Sequence, residues 1–343
     1  MRSPGSSASS ESPPKSSRSE QVANMSAETA SADRVVRGAL RTRPRVTLGM
    51  PLYNAERYLA QAFDGLLAQD FGDFEIVVSD NASTDCTWSL CQDYAARDPR
   101  IRLYRSTENL GAAYNYNRTV ELARAPLFKW VAYDDVCSPT LLSRCVETLD
   151  AAGPRTVLAY PRTLLIDDDG AEIGPYRDGL DLRSPHAFRR VAGFARNWSL
   201  CNAVFGVVRT DVLRSTGMIR PYVSSDVVLL AELAAIGRFR EVPERLFRRR
   251  IHAGSSRQSG KDLATAAHWF DTRRPAGGRP PKVRLPRRVT SALLSAPLPW
   301  HDRIGSTAAF LSVWGYRKTH IRASHLKHAL LDRTRTPAAT EAP

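Results

Sequence analysis

Two adjacent carboxylates, Asp134 and Asp135, follow an apolar run in the stretch LFKWVAYDDVCSPT, residues 127–140. The run predicts a buried strand, and Ser138 and Pro139 predict the start of a helix, as its cap and its first residue. Acids at the carboxyl end of a strand lie where α/β sheets bind ligands. Because Mg²⁺ and Mn²⁺ prefer oxygen ligands, a divalent cation is one interpretation of this pair. A pair of solvated turn residues is the other.

Polar side chains also follow two earlier apolar strands. Tyr53 and Asn54 come after the first predicted strand, and Asp80 ends the second. The carboxyl ends of parallel strands meet at one edge of a sheet, so we expect these groups near Asp134, in an arrangement suited to a nucleotide. Each has a structural alternative: Asp80 in an Asx turn, and Tyr53 as a half-buried turn aromatic.

The second half of the chain adds two candidates. Asp226 heads an otherwise apolar helix predicted over 224–237, where it suits a general base. The helix dipole alone is also a sufficient reason for an acid at that position. His252, in the segment RIHAGSS, suits a phosphate or metal contact, or else packing or a surface hydrogen bond.

Strands and helices alternate regularly in the first part of the chain. Four strand–helix units between residues 46 and 153 predict an α/β fold with a mostly parallel sheet and helices on both faces. The later pattern is less regular. We expect a strand over 156–166, a loop over 171–185, a strand over 202–209, and a strand or strand pair over 240–252.

The net charge of +14 belongs to the ends of the chain. Residues 257–343 hold sixteen Lys/Arg and five Asp/Glu, whereas residues 45–256 hold 26 of each. The mixture of arginine and tryptophan within 273–333 favours an anionic membrane surface. A solvated tail, or a helix packed on the domain, is the alternative. The tail carries no recognised nucleic-acid module, which argues against nucleic acid as a partner.

Cellular location is predicted from what the sequence lacks. The first twenty residues have no apolar core, and no apolar run is long enough to span a membrane. Five scattered cysteines without C-x-x-C pairs indicate reduced thiols. We therefore expect a cytoplasmic protein, with peripheral association on the inner face of the membrane as the role open to the basic tail.

The ordered motifs VTLGMPLYNAERYL, VVSDNASTDCT, ENLG and VAYDDVCSP resemble inverting glycosyltransferases of family 2, which have the GT-A fold. The resemblance covers about residues 45–255. It implies that the nucleotide sugar is bound by a set of residues from the first half of the chain and the end of the last strand. These are Pro51, Tyr53, Asn54, Asp80, Asn109, Asp135 and His252.

Two family motifs are shortened in this chain. The family's D-A-D-D reads A-Y-D-D, with Ala132 in the first position and Asp134 matching the main ligand of Mg²⁺ or Mn²⁺. The family's E-D at a helix start reads Ser225-Asp226, and Asp226 matches the catalytic base. The R-x-H element matches Arg250 and His252.

The resemblance implies a division of the chain. Residues 1–43 form a disordered tail rich in Ser, Pro and Arg, and residues 44–257 form the glycosyltransferase domain. Within that domain, 44–153 is the nucleotide-sugar half and 154–257 the acceptor half. Residues 258–343 are a basic, partly helical extension.

The implied function is metal-dependent, inverting transfer of a sugar from a nucleotide-diphosphate sugar to an acceptor hydroxyl, in polysaccharide, glycolipid or glycan biosynthesis. Glycan, lipid-linked and small-molecule acceptors stay open. A sugar-phosphate nucleotidyltransferase is an alternative, although its glycine-rich basic loop is missing after the first strand. A non-catalytic glycosyltransferase-like binding protein is another, because two family acids are missing.

Overall fold

The computed structural model describes residues 43–252, 263–273 and 284–334; for residues 263–264 and 320–334 it describes the backbone alone. The tail predicted to be disordered lies outside these residues, apart from its last position. The strands of the described chain are β1 (Val46–Leu52), β2 (Phe74–Asp80), β3 (Ile101–Arg105), β4 (Leu127–Trp130), β5 (Val136–Cys137), β6 (Thr156–Ile166), β7 (Glu172–Tyr176), β8 (Val207–Arg209) and β9 (Arg238–Arg250). The helices are α1 (Glu56–Leu67), α2 (Thr87–Arg97), α3 (Ala112–Glu121), α4 (Leu141–Ala152), α5 (Ala187–Asn197), α6 (Thr210–Arg214), α7 (Ser225–Ile236), α8 (Leu263–Phe270), α9 (Leu285–Ser295) and α10 (Trp300–Thr334).

The described strands form one nine-stranded sheet in the order β3-β2-β1-β4-β8-β6-β9-β5, with β7 paired to β6. The first four of these are mutually parallel. Strand β8 is antiparallel to both β4 and β6, and β9 returns parallel to β6. The α/β fold class predicted from the alternating pattern is confirmed.

Helices cover both faces of the sheet, which explains why β1 and β2 are buried along their whole length. Leu48 and Met50 of β1 belong to a core on the α1 face, while Phe128 and Trp130 of β4 belong to a core around α7. Helix α7 is apolar on all sides because it packs against α5 and α9 as well as the sheet. The predicted apolar face of α1 is buried, with the exception of the half-buried Leu67.

Local predictions around the acid pair need correction. Strand β4 ends at Trp130, so Asp134 lies in a turn beyond the strand. Helix α4 begins at Leu141 rather than at Pro139. The backbone N–H of Ser138 donates to the carbonyl oxygen of Leu246 (2.8 Å), which continues the pairing of β5 with β9 and delays the helix.

The irregular second half differs from prediction at two places and settles one open alternative. The expected loop over 171–185 contains β7. The expected strand over 202–209 opens with a 3₁₀ turn, Asn202–Phe205, because Cys201 has a left-handed backbone (φ 59°). The segment 240–252 is one strand, not a pair.

The C-terminal helices pack on the domain. Helix α10 contacts α5 and α9, and Phe310 is fully buried. The rings of Trp314 and Trp198 stack with their centroids 6.2 Å apart, and the guanidinium of Arg317 donates to the carbonyl of Ala195 (2.8 Å). Among the described residues, no helix has the length and apolar composition needed to cross a membrane. All five cysteines are free thiols.

Gly49 provides a test of how closely α3 approaches β1. A Cβ added at Gly49 would lie 2.5 Å from the ring of Phe128 and 2.6 Å from the hydroxyl of Thr119 on α3. We expect Gly49→Ala to lower the free energy of unfolding by about 1–3 kcal/mol, through overpacking. The matched change Gly72→Ala, where a Cβ meets nothing within 4 Å, should stay within about 0.5 kcal/mol. Equal effects in urea unfolding would contradict this packing.

Candidate functional site

The loops after β1, β2 and β4 lie at the same edge of the sheet. Leu52 pairs with Asp80, so β1 and β2 end at the same level. The N–H of Val131 donates to the carbonyl of Gly49 (2.8 Å), which is the last contact of β4 with β1 before the chain turns toward Asp134. The edge where sequence analysis expects a ligand is therefore the edge where these polar loops lie.

Asp134 and His252 form the pair of side chains at this edge that is best suited to bind a cation. The carboxylate Oδ2 of Asp134 lies 2.9 Å from Nε2 of His252, which follows the last strand. The Asp134 side chain keeps 18% of its surface exposed, while that of His252 keeps 6%. The rings of His252 and Tyr58 make an edge-type contact, with their centroids 5.2 Å apart. This contact orients the imidazole toward the carboxylate.

Arg250 joins the elements around this pair. Its side chain, 2% exposed, donates through Nε to the carbonyl of Asp134 (2.9 Å) and through Nη1 to the carbonyls of Asp167 (3.0 Å) and Asp168 (2.8 Å). Its Nη2 donates to Oε1 of Gln61 on α1 (2.5 Å). One guanidinium thus connects the β4 turn, the β6–β7 turn and α1.

Asp135 has a different environment from its neighbour. It is 6% exposed, and its Oδ1 accepts the backbone N–H of Arg250 (2.9 Å). Burial, reinforced by the charge of Asp134, raises the pKa of Asp135 to about 8, with Arg249 and Lys129 opposing the shift. The structure therefore gives Asp135 a contact that positions the turn, and its predicted contact with the donor stays a prediction.

Asp80 is fully buried at the end of β2. Its carboxylate forms an ion pair with Nε of Arg105 (3.0 Å) and accepts the hydroxyl and backbone N–H of Ser83. Burial raises the pKa of Asp80 above its ordinary value, against the opposing effects of Ser83 and Arg105. Arg105 and Ser83 therefore hold the Asp80 carboxylate in place, and its predicted contact with the nucleotide stays a prediction.

The other predicted nucleotide residues surround Asp80. Pro51 is a buried residue of β1 rather than part of a turn, while Tyr53 is 41% exposed at the tip of the loop. The side chain of Asn54 accepts the backbone N–H of Thr84 (2.9 Å), joining the loops after β1 and β2. Asn54 has a left-handed backbone (φ 48°), a conformation that asparagine adopts more readily than most residues.

Asn109 lies in a second set of loop contacts. Its side-chain oxygen accepts the side-chain N–H of Asn81 (2.7 Å) and the N–H of Gly111 (2.9 Å). The backbone carbonyl of Asn109 accepts the hydroxyl of Thr272, in the segment after α8 (2.5 Å). Residues 263–273 thus cover the loop that precedes α3, which sequence analysis did not predict.

Helix α3 connects the acid pair to the loop before α7. Trp130 donates its indole N–H to the carbonyl of Tyr116 (3.0 Å), and the charges of Asp134 and Asp135, after the larger effect of burial, raise the pKa of Tyr116. The next residue, Asn117, exchanges two hydrogen bonds with the backbone of Ile219 (2.8 and 3.0 Å).

Asp226 follows this tethered loop. It is half-buried in the first turn of α7, after Ser224 in a left-handed conformation (φ 65°). Ser225, which stands at the shortened motif's first position, is buried, and its hydroxyl has no hydrogen-bond partner among the described residues. The predicted base therefore stands at a helix start attached through α3 to the same sheet edge.

A buried polar group that sequence analysis missed lies behind Asp135. Arg249 donates to the carbonyl of Leu200 (3.1 Å) and to the side-chain oxygen of Asn202. The backbone N–H of Asn202 donates to Oδ1 of Asp178 (3.0 Å). Asp178 falls in the segment expected to be a loop, and an isolated acid in a loop carries no sequence signal of burial.

One carboxylate and one imidazole fit a divalent cation whose other ligands are phosphate oxygens and water. Among the described residues, no three His, Cys, Asp or Glu side chains form a metal-binding cluster. Asp134 and His252 offer one carboxylate and one imidazole. A hard cation in a nucleotide site takes one or two protein carboxylates and fills its shell with phosphate oxygens and water. Two protein ligands are therefore sufficient here.

The Arg250 contacts predict that replacing this arginine destabilises the protein much more than replacing an exposed arginine of β9. We expect Arg250→Lys to lower the free energy of unfolding by about 2–3 kcal/mol, because one ammonium cannot reach the separate buried acceptors. Arg245→Lys, an exposed position on the same strand, should change it by less than about 0.5 kcal/mol. Chemical denaturation measures both. Equal stability of the two variants would show that the Arg250 contacts are dispensable.

The buried Asp178 predicts a pH dependence of stability. Burial raises the pKa of Asp178 to about 6 from an ordinary value of 3.8, so the folded protein holds this proton more tightly than the unfolded chain. The associated stability is complete below pH 3.8 and is lost as the pH rises to 6. We expect Asp178→Asn to remove this loss and to gain about 2 kcal/mol over the wild type between pH 4 and 7. Asp93→Asn changes an exposed residue of α2, and its stability in thermal unfolding should depend on pH as that of the wild type does. If the stability of both variants follows the wild type at every pH, the raised pKa of Asp178 is refuted.

Comparison with known proteins identifies the domain. The model of glycosyl transferase family 2 matches residues 47–213. An uncharacterized glycosyltransferase of Haemophilus influenzae is 22% identical over 62% of this chain and 67% of its own length. EpsJ, an uncharacterized glycosyltransferase of Bacillus subtilis, is 32% identical over 30% of each chain. Chondroitin synthase of Escherichia coli is 23% identical over 69% of this chain but 33% of its own length.

Solved structures share the fold. TarS 1–349 of S. aureus in complex with UDP-GlcNAc superposes with a TM-score of 0.58 over 78% of this chain and 72% of TarS, at 17% identity. The complex of the same protein with UDP gives a TM-score of 0.56, over 78% and 70% of the two chains, at 16% identity. The chain spans two thirds of the Haemophilus relative and about a third of the other two. The family match makes residues 47–213 a glycosyl transferase family 2 domain, and the shared architecture shows that its fold is of the GT-A type.

Proposed function

We propose that the protein transfers a sugar from a nucleotide-diphosphate sugar to an acceptor hydroxyl, with inversion at the anomeric carbon. One observation carries the proposal. In a family 2 domain, the loops after β1, β2 and β4 meet at one sheet edge, and the Asp134–His252 pair stands there with its carboxylate partly exposed. TarS, which shares the fold, has been solved with UDP and with UDP-GlcNAc, and this supports a nucleotide-sugar donor.

The nucleotide is assigned to the loops after β1 and β2. Tyr53 is exposed and suited to stack on the base, while Asn54 holds its loop against Thr84. The buried Asp80 serves by fixing Arg105 and Ser83, whose polar groups face the same edge. Pro51, Asn109 and Asp135 complete this set as residues that shape the backbone around the donor.

The diphosphate is assigned to the Asp134 side. Asp134 and His252 would hold Mg²⁺ or Mn²⁺, which offsets the charge that develops on the departing diphosphate. Arg250 keeps Asp134 in place by binding its backbone carbonyl, so the side-chain carboxylate is not needed to anchor the turn. The loss of an acid at Ala132 leaves Asp134 as the carboxylate ligand of this turn.

Asp226 is assigned as the general base. It removes the proton of the acceptor hydroxyl, which then attacks the anomeric carbon from the face opposite the diphosphate. The bond to the diphosphate breaks as the bond to the acceptor oxygen forms, so one displacement inverts the configuration. Attachment of the preceding loop to α3 through Asn117 and Ile219 fixes the start of α7 relative to the sheet edge.

The acceptor is assigned to the irregular half of the domain, residues 154–257. A glycan, lipid-linked or small-molecule acceptor fits a role in polysaccharide, glycolipid or glycan biosynthesis. The relative named chondroitin synthase supports a glycan-building role. Peripheral attachment to the cytoplasmic face of a membrane through residues 273–333 belongs to the same proposal.

Assaying nucleotide release from a panel of nucleotide sugars with Mn²⁺ tests the assignment. We expect Asp226→Asn to lower turnover by about 10²–10⁴-fold, since the acceptor loses its base. Asp134→Asn should lower it on the order of 100-fold and weaken the dependence on Mn²⁺. Asp211→Asn, which removes the exposed first-turn acid of α6, is the matched control and should retain full turnover.

Two outcomes would contradict the proposal. Release of pyrophosphate in place of a nucleoside diphosphate would indicate a nucleotidyltransferase. Binding of nucleotide sugars without turnover in any pairing of donor and acceptor would indicate a non-catalytic relative.

A further inference from the structure

An arginine-rich cleft opens beside the loop that leads to α7. Its volume is about 600 Å³, and Arg220 and Tyr222 form one wall, while α9 and the residue before it form the other. The remaining lining residues are Arg284, Arg287, Arg288, Ser291, Ala292 and Ser295. Positions 284, 287, 288, 291 and 295 recur at helical spacing, so one face of α9 presents its arginines to the cleft.

Most of this positive charge is uncompensated. Arg220 is neutralised by Glu232, with Nη2 and Oε1 2.9 Å apart. The guanidinium of Arg288 lies 3.6 Å from the centre of the Tyr222 ring. Within the described part of the chain, no carboxylate pairs with Arg284, Arg287 or Arg288. Three guanidinium groups in one cleft favour an anion with several oxygens, above all a phosphate.

Exposed apolar side chains lie on α9, which lines the cleft, and on α10, which follows it in the chain. Leu294 on α9 is 45% exposed and lies between two lining residues of the cleft, Ser291 and Ser295. Along α10, Trp300 is 72% exposed, and Ile304, one turn later on the same face, is 55% exposed. These side chains project outward because the opposite sides of both helices are buried in the domain.

We propose that this cleft binds the phosphate of a lipid while Leu294, Trp300 and Ile304 contact the acyl region of the same membrane. A soluble phosphate compound accounts for the arginines but not for the apolar residues beside them, whereas an anionic membrane surface accounts for both. Arginine beside tryptophan and leucine is the composition of a membrane interface.

The position of the cleft relates it to acceptor binding. Tyr222 lies four residues before Asp226, so a lipid phosphate in the cleft is next to the loop that leads to the proposed base. This relation rests on the proposed function and narrows the acceptor to a compound presented at a membrane. Lipid binding itself requires neither donor nor catalysis.

Sedimentation of the purified full chain with vesicles tests the proposal. Vesicles of phosphatidylcholine are compared with vesicles that also contain phosphatidylglycerol, at one salt concentration. The double variant Arg284→Gln/Arg287→Gln should partition onto the anionic vesicles about 30-fold less than the wild type, from about 1 kcal/mol for each arginine. Both side chains are exposed, so the fold is retained.

A control of equal charge makes the result specific. Arg97→Gln/Arg155→Gln removes two exposed arginines from α2 and from the loop before β6, and should lower partitioning by less than about twofold. Equal losses in the two double variants would overturn the proposal in favour of diffuse attraction. Calorimetric titration with glycerol phosphate is the second arm: saturation of the cleft by this soluble compound, with no retention by vesicles, would also overturn it. Because no arm contains a sugar donor, failure here is distinct from failure of the transferase assignment.

Discussion

The buried guanidinium of Arg250 is the contact on which the arrangement of the site depends. A planar group with donors in three directions reaches carbonyls from two separate turns and an amide on α1. It also packs 4.5 Å from the centre of the Tyr58 ring, which in turn contacts the ring of His252. The orientation of the Asp134–His252 pair is therefore a consequence of where the last strand places a single arginine.

Helix α3 supplies the second constraint. Three successive residues contact three parts of the site: Asn115 donates to the carbonyl of Leu52 at the end of β1 (3.0 Å), Tyr116 binds Trp130, and Asn117 binds the loop before α7. A helix that contacts all three is able to hold the end of β1, the end of β4 and the loop before α7 in register. The close approach at Gly49 allows this helix to lie against the sheet.

Much of the first half could be predicted from its sequence, because its periodic apolar residues form local elements that face one core on each side. The edge location of Tyr53, Asn54, Asp80 and Asp134 follows from the rule that parallel strands end together. The burial of Asp80 beneath Arg105 did not follow, because it depends on a side chain from β3.

Contacts between residues far apart in the sequence also explain the other differences from prediction. The 3₁₀ turn before β8 depends on tertiary contacts of Asn202 with Asp178 and Arg249, and a propensity for strand is overridden there. The delayed start of α4 depends on a backbone contact between Ser138 and Leu246, which lie far apart in the sequence. Non-local partners of this kind leave no periodic signal.

We propose that the turn after β4 and the end of β9 form one cation-dependent diphosphate site. Its decisive test is calorimetric titration with a panel of nucleoside diphosphates, in Mn²⁺ and again in excess chelator. We expect at least one nucleoside diphosphate to bind at least about tenfold more tightly with Mn²⁺, and Asp134→Asn to remove this difference. Equal affinity with and without the cation in the unmodified protein would contradict it.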